Sequence, residues 1–138
     1  MNAADASDIE LPIQTETDIV LTRRAVREAA RAVGFGVTDT TRIVTAASEL
    51  ARNIFKYAGE GMMRLRPLER EDRTGIELTF VDRGPGIPSI PQALEMGFST
   101  SGGFGMGLPG AKRLMDEMDI QSALGQGTTV TVTKWRRV

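Results

Sequence analysis

The chain contains neither cysteine nor histidine. Without cysteine there is no disulfide framework, no thiolate nucleophile and no cysteine metal site. Without histidine, a Ser-His-Asp triad, a histidine general base and a histidine phosphoacceptor are excluded. An excess of one charge is missing too: Lys and Arg number 17 and Asp and Glu 18, for a net charge of −1. No field of one sign argues for DNA, RNA or an anionic membrane as partner, and the pairs Arg23-Arg24 and Arg136-Arg137 read as solvated faces. No apolar run approaches the roughly 18 residues of a membrane-spanning helix. Met1 to Asp8 is polar and acidic and lacks the basic and apolar parts of a signal peptide, so a cytoplasmic location is expected.

What is present is a chain of 138 residues, 41% apolar and 25% charged, which suits one soluble domain around one core. Residues 1–8 read as a flexible tail and 9–138 as a single domain. Alternation of Ile9, Leu11 and Ile13 predicts a strand over Ile9 to Thr15. Thr17 or Asp18 can cap a helix that runs to Val33 and stops at Gly34. Thr38 or Asp39 can cap a second helix, reaching Ala58 before Gly59 and Gly61 end it. Met62 to Leu68 and Gly75 to Val81 read as strands joined by a turn at Glu69 to Arg73. Asp82 to Gly107 is rich in Gly, Pro and Ser, with room for one helical turn near Gln92 to Met96. A loop of that length in a compact domain is uncommon unless it is functional. A helix is expected over Leu108 to Glu117, and a closing hairpin over Asp119 to Ala123 and Thr128 to Trp135. The order β-α-α-β-β-loop-α-β-β predicts an α+β two-layer sandwich, with a mixed, mainly antiparallel sheet and helices on one face.

Three segments carry chemistry. Glu49, Asn53 and Lys56 share one face of the second helix, which is not the apolar face of Ile43, Ala46, Ala47, Leu50 and Ile54. Together they offer a base, a metal ligand and a phosphate contact, although alone they match any solvated helix face. Asp82-Arg83-Gly84-Pro85-Gly86 follows an apolar strand. A carboxylate there can accept from an exocyclic amine, and Gly84 and Gly86 would let a flat base approach the backbone; a capped tight turn explains the segment equally well. Ser101-Gly102-Gly103-Phe104-Gly105-Met106-Gly107-Leu108-Pro109 opens a helix. Its backbone amides can hold an anion, and Pro109 suits a first helical turn. The pattern is neither a Walker loop nor a Rossmann fingerprint. Gly127-Thr128 opens the last strand, where a hydroxyl can support Asp82 or simply turn the chain.

Taken in order, Glu49-x-x-x-Asn53, Asp82-x-Gly84-x-Gly86, Gly103-x-Gly105-x-Gly107 and Gly127-Thr128 resemble the N box and three glycine boxes of the Bergerat ATP-binding superfamily. The runs Ser48 to Ile54, Gly97 to Gly110 and Lys112 to Glu117, with the closing Lys134-Trp135, resemble the RsbT-type switch kinases of the bacterial stressosome. The resemblance implies ATP and Mg²⁺ as cofactors, with Asn53 on the metal and Glu49 as the general base. It implies that Asp82 takes the adenine amine with help from Thr128, and that Gly84 and Gly86 shape the base pocket. Gly103, Gly105 and Gly107 would form the phosphate lid, Ser101 and Leu108 would also bind the nucleotide, and Lys56 would be a phosphate contact. The implied activity is serine/threonine phosphorylation of STAS-domain scaffold and antagonist proteins. Release to activate a downstream PP2C-type phosphatase or other effector would follow. An anti-sigma factor of the same superfamily is the alternative, since it would share the ATP site.

Overall fold

A computed structural model describes residues 8–87, 89–94 and 107–137. Its elements are β1 (Ile9–Ile13), α1 (Glu16–Val33), α2 (Val37–Tyr57), β2 (Gly61–Arg70), β3 (Arg73–Asp82), α3 (Ile90–Ala93), α4 (Gly107–Leu114), β4 (Glu117–Ala123) and β5 (Gly127–Trp135).

Capping explains where the long helices begin and end. Thr15, not Thr17 or Asp18, is the N-cap of α1: its hydroxyl accepts from the Asp18 amide at 3.2 Å, and the Asp18 carboxylate accepts in return from the Thr15 amide at 3.2 Å. This reciprocal box satisfies two amides that the helix leaves open. At the far end Gly34 adopts φ 106, which lets the Phe35 amide turn back to the Ala30 carbonyl at 3.0 Å. The start of α2 departs from expectation. Its N-cap is Gly36, with no side-chain cap, because the Asp39 carboxylate is engaged elsewhere, by Arg42 at 3.0 Å and facing Lys134 and Arg137.

Strand order in the sheet is β1-β2-β3-β5-β4, and all four pairings among the described residues are antiparallel. Alternation sends Met63, Leu65, Ile76, Leu78, Phe80, Val130 and Val132 to one face, where they are buried. Against them pack Ile19, Val26 and Ala30 of α1 and Ile43, Ala47, Leu50 and Ile54 of α2, forming a single apolar cluster. The opposite face carries Arg64, Arg66, Glu77, Thr79 and Thr131, none of them buried. Helices therefore cover one face only, and the α+β two-layer reading holds.

The turn between β2 and β3 is just Glu71-Asp72, with Glu71 at φ 58, so both strands run longer than their apolar residues suggest. The short helix lies at Ile90–Ala93, earlier than Gln92 to Met96. Ser89 caps it, its hydroxyl accepting from the Gln92 amide at 3.3 Å, and Pro91 sits in the first turn. Helix α4 stops at Leu114 instead of Glu117. The Leu114 carbonyl accepts from Lys134 Nζ at 2.8 Å, the Asp116 amide donates to the Thr133 carbonyl at 2.9 Å, and Glu117 takes the Trp135 indole N–H at 2.7 Å. Those contacts tie residues 116 and 117 to β5, and β4 starts at Glu117.

Candidate nucleotide site

The glycine-rich segments and the polar face of α2 meet where the sheet ends. Position 82 of β3 pairs with Thr128 of β5 and with Gly61 of β2, and Thr128 pairs with Ser122 of β4. Gly61, Asp82, Thr128 and Ser122 thus form one cross-strand row. Its parity is that of Phe80 and Val130, so the row faces the helices. Gly61 leaves space in that row for α2: a Cβ there would stand 2.8 Å from Ile54 Cγ2.

Above the row lies a cavity of about 270 Å³. Leu50, Ile54, Phe80, Ile87 and Val130 give it apolar walls, while Asn53, Asp82 and Thr128 supply polar groups. Gly107 and Leu108 close one side at the start of α4. An apolar slot with a few convergent polar groups is the usual form of a small-molecule site.

Each sequence-predicted residue has a definite place. Asn53 is half-buried and lines the cavity, and its Oδ1 stands 3.6 Å from where a Cβ on Gly107 would be. The amide of α2 and the N-terminal end of α4 therefore face each other, which suits anionic groups bound between them. Asp82 is half-buried, and its Oδ1 accepts from the Gly84 amide at 2.8 Å, leaving the second oxygen for a ligand. Thr128 is buried beside it. Glu49 lies one turn before Asn53, with its side chain 20% exposed and a 3.1 Å ion pair to Arg52, and it is not among the residues lining the cavity. Lys56 is exposed and outside the lining, its ammonium 5.5 Å from the centroid of the Tyr57 ring. Ser101, Gly103 and Gly105 lie outside the described residues.

Gly84 and Gly86 both fit tightly against neighbouring elements, and Gly86 also lines the cavity. A Cβ on Gly84 would stand 2.7 Å from Ala58 Cβ, towards the end of α2. Gly86 has φ 84, and its missing Cβ points at the Ala123 carbonyl. Both hold the turn 83–87 flat against α2 on one side and the β4–β5 hairpin on the other. The Gly125 amide completes the clasp, donating to the Pro85 carbonyl at 2.9 Å.

Sequence reasoning missed Ser122, whose hydroxyl accepts from the Ile87 amide at 2.8 Å and lies 2.9 Å from Thr128 Oγ1. The signal was indirect: folding the hairpin about Gly125-Gln126 sets Ser122 opposite Thr128. It also missed Tyr57, half exposed in the cavity lining, which carries no polar motif of its own.

For Mg²⁺ the donor set is narrow. Among the described residues no cluster of three or more acidic, histidine or cysteine side chains is able to hold a metal ion. At the end of the cavity beside α4, Asn53 offers a neutral amide oxygen, and this fits an ion held chiefly by phosphates and water, the common habit of Mg²⁺.

Sequence and fold together define an ATPase domain. Residues 13–134 match the histidine kinase-like ATPase domain, and the chain belongs to that family. Within it the chain is 50% identical over 125 residues to the serine/threonine-protein kinase RsbT of Bacillus subtilis, covering 91% of this chain and 94% of that one. It is 30% identical over 105 residues to an anti-sigma F factor of Caldanaerobacter subterraneus, covering 72% of each. Among solved structures it superposes on the RsbU and RsbW domains of a Mycobacterium tuberculosis protein, with TM-score 0.65 and 21% identity, over 95% of this chain and 33% of that one. That last likeness is one of fold.

Proposed function

We propose that this protein is an ATP-dependent serine/threonine protein kinase of the RsbT kind, acting in the cytoplasm on STAS-domain scaffold and antagonist proteins. Released from them, it binds and activates a PP2C-type phosphatase or a comparable effector. The observation that carries this reading is the convergence of Asn53, Asp82, Gly107 and Thr128 on one cavity, in a chain 50% identical to RsbT over most of its length.

The roles are those that the family resemblance implies, supported by position where the cavity lining includes the residue. Asp82 takes the exocyclic amine of adenine with its free carboxylate oxygen, and Thr128 assists from the next strand. Asn53 would hold Mg²⁺, and Gly107 and Leu108 at the N-terminal end of α4 would receive the phosphates. When bound, the metal neutralises charge on the phosphate oxygens. The sequence motif that contains Ser101, Gly103 and Gly105 suits the phosphate-lid role that the family resemblance implies, and Lys56 is a peripheral cation for the same charge. Glu49, one turn from Asn53, takes the proton of the incoming serine or threonine hydroxyl. Arg52 holds that carboxylate until a substrate hydroxyl arrives. Phosphoryl transfer depends on such positioning and charge stabilisation more than on covalent help from protein, so a histidine is not required.

Incubation with γ-labelled ATP, Mg²⁺ and candidate STAS-domain proteins tests the reading. Label on serine or threonine of the STAS protein is the expected result. The 30% identity to anti-sigma F factors favours one alternative, a sigma-binding module using the same nucleotide site. Absence of label together with ATP-dependent capture of a sigma factor would establish that alternative in its place.

A further inference from the structure

The hydroxyl of Ser122 meets three groups at once. The Ile87 amide N–H donates to it at 2.8 Å, the Gly127 carbonyl oxygen lies at 3.1 Å, and Thr128 Oγ1 lies at 2.9 Å. A serine hydroxyl has one proton and two lone pairs, and the Ile87 N–H fills one lone pair. Two arrangements remain. If the Ser122 proton pointed at Thr128, the Gly127 carbonyl would face Oγ at 3.1 Å with no proton between them. If it points at the Gly127 carbonyl, the Thr128 hydroxyl donates into the second lone pair, and all three contacts carry a hydrogen. Only the second satisfies every partner, and a partly buried polar contact left unmet costs more than a made bond contributes. Thr128 therefore gives its only proton to Ser122 and turns lone pairs alone towards the cavity.

Asp82 stands opposite Thr128 in the cross-strand row, and its carboxylate also accepts only. Both groups at this end of the cavity are then acceptors. From this we propose that Ser122 is a specificity-determining positioning residue: by fixing the direction of the Thr128 proton, it makes the base end of the cavity take a 6-aminopurine and refuse a 6-oxopurine. The inference rests on the nucleotide reading above and adds to it a residue that need not touch the ligand. It also explains the coupling of Ser122 to Ile87, because the same hydroxyl anchors the turn that walls the cavity.

The test is the ratio of dissociation constants for ATP and ITP, which differ at the 6-position and the neighbouring ring proton, measured by calorimetry on the full chain. In Ser122→Ala the Thr128 proton is released and can turn to the 6-oxo group. The preference for ATP over ITP is expected to fall about tenfold, the usual scale of one hydrogen bond changing sense. Loss of the Ile87 anchor weakens both nucleotides alike and cancels in the ratio. Ser122→Thr, which keeps the hydroxyl, should retain the wild-type preference. In a Thr128→Val background Ser122→Ala should leave the ratio where Thr128→Val alone put it. Should Ser122→Ala melt below the assay temperature, Ser122→Cys replaces it, since a thiol is a weak acceptor. Equal weakening of ATP and ITP in Ser122→Ala, or an unchanged ratio, overturns the positioning role while leaving the nucleotide site intact. A wild-type protein that binds ITP as tightly as ATP overturns the amine-reading site itself.

Discussion

Replacing Asp82 with asparagine isolates what the carboxylate contributes to nucleotide binding. In the folded protein Oδ1 is occupied by the Gly84 amide at 2.8 Å. Asparagine keeps an oxygen for that bond, so the turn 83–87 and the packing of Gly84 on Ala58 should survive. What changes is the second position, where an NH₂ donor replaces an acceptor at the end of the cavity. A hydrogen bond to a charged group contributes about 1.5–3 kcal/mol. At 1.4 kcal/mol per factor of ten, ATP should bind roughly 10- to 150-fold more weakly. GTP presents an oxygen where ATP presents an amine, so its affinity should change far less. Calorimetric titration of both nucleotides into wild type and Asp82→Asn gives the two ratios directly, with the melting temperature as a check that the turn is intact. Equal ATP affinities for the two proteins would refute the assignment of the base end of the cavity to Asp82. A parallel loss of ATP and GTP would show that the variant had damaged the cavity instead of its recognition.

Three further outcomes follow from particular contacts. Asn53→Ala removes the polar group of α2 that faces the start of α4, and phosphate transfer to a STAS protein should be lost; transfer at the wild-type rate with Mg²⁺ would remove Asn53 from the metal. Thr22 is fully buried in α1 and its hydroxyl has no hydrogen-bond partner among the described residues, so Thr22→Val should raise stability by about 1 kcal/mol in urea unfolding, and a loss of stability would show the hydroxyl to be satisfied. Lys134 is 4% exposed, donates to the last carbonyl of α4 and faces Asp116 at 3.5 Å and Asp39 at 4.0 Å. Lys134→Met should cost about 2–4 kcal/mol, near the lower end for a broken buried pair because both aspartates keep an arginine, and a cost under about 0.5 kcal/mol would contradict that role.

The parts of the fold that were legible in the sequence are those set by local periodicity and local chemistry. The two apolar stripes of α1 and α2, the stop at Gly34 and the alternation in β2 and β3 need no distant partner to be read. Boundaries failed where a side chain was claimed from far away. Asp39 looked like a cap but is held by Arg42, Lys134 and Arg137, and Asp116-Glu117 looked helical until Trp135 claimed both carboxylates. The site shows the same division. Asn53, Asp82, Gly107 and Thr128 sit in motifs whose spacing marks them, and they meet at the cavity. Ser122 belongs to no motif and acquires its place only from the β4–β5 register. The glycines of the turn 83–87 were legible as glycines, but the Ala58 and Ala123 atoms that exclude a Cβ there were not, because they come from other elements.

The kinase assignment is tested most directly by comparing wild type with Glu49→Gln, with ATP affinity, STAS-protein binding and phosphate transfer measured on the same preparations. Glutamine keeps the size and most of the hydrogen-bonding shape of Glu49 but cannot take a proton from the incoming hydroxyl. Because Glu49 lies outside the cavity lining, nucleotide affinity should change little. Loss of a positioned base slows transfer by about 10²–10⁴-fold. The predicted result is a variant that binds ATP and its STAS partner nearly as wild type does yet transfers phosphate at least about a hundredfold more slowly. Full-rate transfer by Glu49→Gln would remove Glu49 from the chemistry, and failure of both proteins to phosphorylate any STAS protein, with ATP-dependent partner binding retained, would contradict the kinase assignment itself.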